Sequence, residues 1–220
     1  MNNQLQSISD DQKGTWNKVA NSWKKWDEFT MNFLRPMGNA IINALDIKSD
    51  DKVLDIASGT GEPAFSIAAI AKDGKVIATD LSEGMITIAK SYAEQRRINN
   101  IEFEVADVSS LPFDDNVFEK ISCRMGFMFF PDLQLATSEM YRVCKIGGRL
   151  AISVWDRSEN NGWYTAMTRA LSKNIEMPQP AANAPGMFRC SAPGFVKELF
   201  EDAGFKNVKE ETVSGKVDFV

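Results

Sequence analysis

The segment DIASGTGEPA, from Asp55 to Ala64, sets two glycines at Gly-x-Gly spacing between two apolar runs. Glycine lets the backbone turn sharply and lets a ligand approach it, because no Cβ stands in the way. Gly59, Gly61 and Ala64, with Asp80 about 20 residues on, fit a dinucleotide fingerprint, and they fit a different nucleoside pocket as well. Carboxylates separate the two readings. Asp80 can accept both hydroxyls of a ribose, although an aspartate opening a helix is the plainer alternative. Asp55, four residues before Gly59, would repel a pyrophosphate but favour a ligand carrying an ammonium and a sulfonium. It could equally brace the loop by accepting from backbone N–H groups. Asp107, followed by Val108, suits an adenine, with the carboxylate on the exocyclic amine and apolar neighbours on the ring; it could instead cap the Asp-x-Ser-Ser turn. Arg124 offers a cation to an acidic group of a ligand, or a surface salt bridge.

These groups can act together only if the fold collects them. Apolar runs at 52–57, 75–80, 101–107 and 117–124 read as strands, and each of the four candidate positions falls at or near a carboxyl end. Helical patterns intervene at 62–72, with Pro63 in the first turn, at 82–97, with Ser82 as N-cap, and at 131–144. A turn at Gly147-Gly148 leads to a fifth strand, 149–155. Strands alternating with helices imply parallel pairing through right-handed crossovers. The expectation is therefore a three-layer open α/β sheet, mostly parallel, with ligands bound beyond the strand ends. Before it, 10–29 reads as a helix with the stripe Trp16, Val19, Trp23 and Trp26, and 31–45 as a second helix interrupted at Pro36. After it come a short helix at 162–174, a proline-rich loop, a helix at 192–203 stopped by Gly204, and a sixth strand over 206–219.

Bulk properties narrow the chemistry further. The chain has 220 residues, enough for one domain with a substantial core, and no linker divides it. A net charge of −5 without a basic run argues against a nucleic-acid partner. No apolar stretch reaches the roughly 20 residues of a membrane span. The polar N-terminus lacks a signal-peptide core, and Cys123, Cys144 and Cys190 have neither disulfide nor zinc-ligand spacing. Reduced, buried thiols in a cytoplasmic protein are expected. There is no histidine at all, which excludes histidine-based nucleophilic machinery, histidine metal sites and histidine acid–base catalysis. No metal site is expected.

The motifs VLDIASGTGEPAF, VIATDLSEGMI, VADVSSLPFDDNVFEKI and FFPDLQLATSEMYRVCKIGGRL, in this order and spacing, resemble the class I S-adenosylmethionine-dependent methyltransferases. Within them the chain is most similar to the ubiquinone/menaquinone C-methyltransferase-like group, over about 16–204. The resemblance implies a Rossmann-like methyltransferase fold and S-adenosylmethionine as cofactor. The cofactor would lie over the loop Asp55, Ala57, Ser58, Gly59 and Gly61, with its ribose on Asp80 beside Leu81. Its adenine would lie between Met85 and Val108, next to Ala106, with the amine at Asp107. Trp16, Ala20 and Trp23 match an aromatic-x-x-x-Ala-x-x-aromatic pattern that closes over the methionine end, where Arg124 would contact the carboxylate. Residues 1–46 would then cover the cofactor, 47–157 form its binding core, and 158–220 serve the substrate side. A small hydrophobic acceptor would meet Trp16, Met125 and Trp155, with Trp163, Phe127, Met128 and Phe129 completing an apolar lining. The loop's usual first glycine is Ala57, tolerable if φ stays negative there. The family's final antiparallel strand is expected to be missing, since 220 falls at the end of the sixth strand.

An NAD(P)-dependent oxidoreductase and an inactive nucleoside-binding module are the alternatives. The first would need a reactive Tyr-x-x-x-Lys pair, and Tyr141 and Lys145 match it only inside the helix before the fifth strand.

Overall fold

The computed structural model of the chain describes residues 3–176 and 183–216. Five strands, β1 (Lys52–Ile56), β2 (Lys75–Asp80), β3 (Ile101–Val105), β4 (Phe118–Arg124) and β5 (Cys144–Ser153), form one sheet. Their order is β3-β2-β1-β4-β5, and every pairing is parallel. The order reverses between β1 and β4, so the two carboxyl ends there frame a crevice.

Alternation along the strands builds two cores. Leu54 and Ile56 of β1 face a layer containing α5 (Leu133–Val143) and α7 (Phe195–Asp202). Val53 faces the opposite layer, with α3 (Ala64–Ile70) and α4 (Glu83–Arg96). Strands covered on both faces are buried at successive positions, as β1 and β2 are. Ser82 caps α4 by accepting from the Met85 N–H, and Asp132 caps α5 by accepting from that of Leu135.

Two helices precede the sheet. α1 (Asn3–Lys25) is longer than the 10–29 pattern at its start and shorter at its end. It breaks before α2 (Asp27–Leu45), leaving Trp26 at the junction, 59% exposed and off the predicted stripe, with Lys25 Nζ over its ring. Pro36 does not interrupt α2, whose Leu34, Met37, Ile41 and Leu45 are buried and hold the helix continuous through it. Gly147-Gly148 is not a turn before the fifth strand. β5 starts at Cys144, and its register against β4 shifts between Phe118 and Lys120, so the glycines sit in an irregularity of the strand with Gly147 at φ 80°.

The substrate-side segment contains α6 (Gly162–Leu171) and then α7, which ends just before Gly204 at φ 111°. The expected sixth strand does not form over 206–216, where the chain is irregular; the rest of that expectation lies outside the described residues, as does 177–182 of the proline-rich loop. The three cysteines are free and buried. No helix among the described residues is long and apolar enough to cross a membrane.

Candidate active site

The β1–β4 crevice opens into a cavity of about 310 Å³, floored by the strand ends and roofed by α1 and α2. On one side lie Ser58, Gly59, Asp80, Leu81 and Ala106; Met85 and Val108 are nearby in the same wall. Asp80 ends β2, and its two oxygens accept from different backbone groups. Oδ2 accepts from Gly59 N–H at 2.9 Å and Oδ1 from Ser82 N–H at 2.8 Å. Burial pushes the Asp80 carboxyl above its ordinary range, against the pull of these N–H groups. Gly59 has φ 55°, and a Cβ there would meet nothing within 4 Å. The space beside the loop backbone is thus open.

Asp107 follows β3, caps a turn and lines the cavity. Its Oδ1 accepts from Ser109 N–H at 2.8 Å, capping the turn, while the residue also lines the cavity. Its Oδ2 accepts from Ser9 Oγ at 2.5 Å, a contact from α1 that no local pattern announced.

Asp55 is not a cavity residue. It lies on the Val53 face of β1, fully buried, with Oδ1 accepting from Ser122 Oγ at 2.6 Å and Oδ2 without a partner. Burial raises its pKa to about 7, although Ser122 and Arg124 act to lower it. Asp55 thus stands beneath the loop, outside the cavity lining. Gly61 likewise stays outside the lining. Its φ is 118°, and a Cβ would fall 2.1 Å from the Phe65 ring, so packing demands this glycine. Ala57 does line the cavity, but its φ is +55°, not negative. The strained backbone is accommodated because the residue facing its methyl is Gly126.

Arg124 is no surface ion pair. It stands half-buried in the cavity wall, its Nη2 3.1 Å from the Met31 sulfur, and burial lowers its pKa. Met125, at φ 59°, and Trp155 join it in the lining. Trp155 stacks on Phe33 of α2 (centroids 5.6 Å apart, 27°), and Trp163 meets both rings. Phe129 lines the cavity and meets Trp16 edge-on at 5.2 Å, whereas Phe127 and Met128 belong to the core beneath, both fully buried. On α1, Trp16 and Trp23 face the cavity, and Ala20 lets the helix approach α4 closely, near Gly84.

Gln12, Phe33, Glu62 and Met187 also line the cavity and escaped the sequence reading. Of these, only Phe33 carried a signal, lying one helical turn beyond Phe29 on α2.

A methyltransferase-domain family model matches residues 47–208, spanning β1 to the segment after α7. The chain belongs to the class I S-adenosylmethionine-dependent methyltransferases, in the ubiquinone/menaquinone C-methyltransferase-like group. A ubiquinone/menaquinone biosynthesis C-methyltransferase of Neisseria meningitidis is 32% identical over 190 residues, covering 80% of this chain and 75% of the relative. A demethylmenaquinone methyltransferase of Bacillus subtilis is 26% identical, with coverages of 88% and 83%. In structure, a SAM-dependent methyltransferase from Aquifex aeolicus shares the fold at a TM-score of 0.63 and 22% identity, over 84% of this chain and 87% of that one.

The chain is therefore a methyltransferase, and one wall of its cavity is aromatic. An oxidoreductase is not favoured: Tyr141 lies on α5, 47% exposed and outside the cavity lining.

Proposed function

We propose that the cavity holds S-adenosylmethionine on its Asp80–Asp107 side and the acceptor against its aromatic wall. The observation that carries this reading is the convergence of Ser58, Gly59, Asp80, Met85, Asp107 and Val108 on one cavity. The open space at Gly59 and the acceptor oxygens of Asp80 fit a ribose beside a bare backbone. Met85 and Val108 would clamp the adenine, with Leu81 and Ala106 beside it. Arg124 would hold the methionine carboxylate, and Trp23 would face the sulfonium by cation–π attraction.

When bound, S-adenosylmethionine supplies an activated methyl group and a neutral thioether leaving group, so that the transfer is an in-line displacement. What remains for the chain is orientation and the exclusion of water. Trp16 and Trp23 cover the cavity from α1, and Phe33, Trp155 and Trp163 would present an apolar aromatic surface to the acceptor. No histidine is needed for this division of labour. The quinone-methylating names of the relatives support a ring acceptor of quinone-like shape. A cytoplasmic enzyme acting on a small molecule follows from the same reading.

Isothermal calorimetry with S-adenosylmethionine, S-adenosylhomocysteine and NAD tests it. The first two should bind with micromolar dissociation constants and NAD should not. NAD binding without binding of either sulfur compound would overturn it.

A further inference from the structure

From the contact between Ser9 and Asp107 we infer that Ser9 of α1 is a positioning residue, which makes the base-reading corner of the cavity selective for a 6-amino purine over a 6-oxo purine. The inference rests on the proposed nucleoside site but concerns a residue 98 positions away in sequence from the carboxylate it serves. Ser9 is 2% exposed and donates its hydroxyl proton to Asp107 Oδ2 at 2.5 Å. On the other oxygen, Asp107 accepts from Ser109 N–H at 2.8 Å.

Two anchors, one per oxygen, fix the plane of the carboxylate. A carboxylate has about four acceptor sites, so lone pairs remain for a ligand donor. The alternative without Ser9 is a side chain fastened through Oδ1 alone, free to turn about its terminal torsion, which is intrinsically broad. Ser9 has a second effect. A hydroxyl can donate or accept, and a free one would serve an amine and a carbonyl alike. With its proton committed to Asp107, it offers no donor to a ring carbonyl. The Ser9–Asp107 pair then presents acceptors only. An exocyclic amine finds a partner there, while a carbonyl at the same ring position meets lone pairs and loses its hydrogen bond to water.

The same bond ties base recognition to α1, which also brings Gln12 and Trp16 to the cavity. α1 packs against α4 through a small cluster of its own (Ala20, Met85 and Ile88) rather than through either face of the sheet. Reading the base therefore depends on the roof being in place.

The experiment compares the calorimetric dissociation constants of S-adenosylhomocysteine and of its 6-oxo counterpart, S-inosylhomocysteine. It uses the full chain, Ser9→Ala and Ser9→Cys, the last being close in volume but only a weak donor. The unsubstituted chain should prefer the amino form by about tenfold or more, the size of one charge-assisted hydrogen bond. Both variants should shrink that ratio several-fold, chiefly by weakening the amino form. A purely structural role would lower both affinities together and leave the ratio unchanged, and that result would overturn the inference. Equal binding of the two compounds by the unsubstituted chain would overturn it as well. Binding of neither compound by the unsubstituted chain would instead strike the proposed cofactor site itself, and the inference with it. Should Ser9→Ala fail to fold, the ratio measured for Ser9→Cys decides.

Discussion

Ala57 and Gly126 divide between them a role that one glycine usually fills. A non-glycine residue in the left-handed region costs roughly 1–2 kcal/mol, and Ala57 adopts φ 55°. Its methyl needs room, which Gly126 supplies: a Cβ at 126 would lie 2.4 Å from that of Ala57. Gly126→Ala should therefore destabilise the fold by about 1–3 kcal/mol through overpacking. Adding Ala57→Gly should recover much of this, with a coupling of about 1 kcal/mol in a urea-denaturation double-mutant cycle. Strict additivity would show that the two methyl groups do not meet. Asp55 invites a second test at this scale. Its folded-state pKa of about 7 stands above the unfolded value, which is about 3.9. Below the unfolded value both states are protonated, so nothing is lost. As pH rises through the window between the two values, the unfolded state ionises first and stability falls, by an order of a few kcal/mol once pH exceeds the folded value. Asp55→Asn cannot ionise. Its urea midpoint should drop less than that of the unsubstituted chain between about pH 5 and pH 8, and parallel drops would remove Asp55 as the cause.

Among the elements, α1 is the one whose attachment matters most for the site, and of its residues only Ser9 and Ala20 are buried. Asn17 Oδ1 accepts from Ser82 Oγ at 2.7 Å and from Gly84 N–H at 3.0 Å, joining α1 to the start of α4. Lys13 and Glu83 add an exposed ion pair at 2.9 Å, whose contribution is small. Local opening free energies follow such contacts, so a roof held by few of them opens before the sheet does. Asn17→Ala should cost about 1–2 kcal/mol in α1 opening, two neutral hydrogen bonds' worth. Amide exchange in α1 should then accelerate about tenfold while β1 and β4 keep their protection. Uniform acceleration throughout would mean that α1 is part of the global unfolding unit.

For the whole molecule, the cavity lies where the sheet, both N-terminal helices and the loop before α5 converge, so a ligand filling it contacts all of them at once. A ligand that binds only the folded state stabilises it by about 2.7 kcal/mol at a concentration of 100 times its dissociation constant. For a chain of this size that corresponds to a rise in Tm of roughly 5–10 °C. Thermal unfolding with S-adenosylhomocysteine should show such a rise, and the same concentration of NAD should show none. An equal rise with NAD would contradict the assignment of the cavity.

The alternation of apolar strands and helices, with glycine and aspartate at strand ends, was enough to read the parallel sheet, its order of elements and the placement of Asp80, Asp107 and Arg124 at the crevice. These features are local. Strand periodicity, caps such as Ser82 and the need for glycine at tight turns act within a few residues, so they are written along the chain. What the sequence by itself could not decide was orientation and partnership across distance. It could not place Asp55 below the loop instead of in the cavity, because a one-residue alternation chooses the face and only packing shows what covers it. Nor could it show Ala57 at positive φ opposite Gly126, or Pro36 inside an unbroken α2, since each is settled by neighbours from other elements. The aromatic wall of Phe33, Trp155 and Trp163 and the bond from Ser9 to Asp107 join residues about 100 or more positions apart. Such contacts form only when the chain closes on itself, where geometry, not residue type, selects the partner.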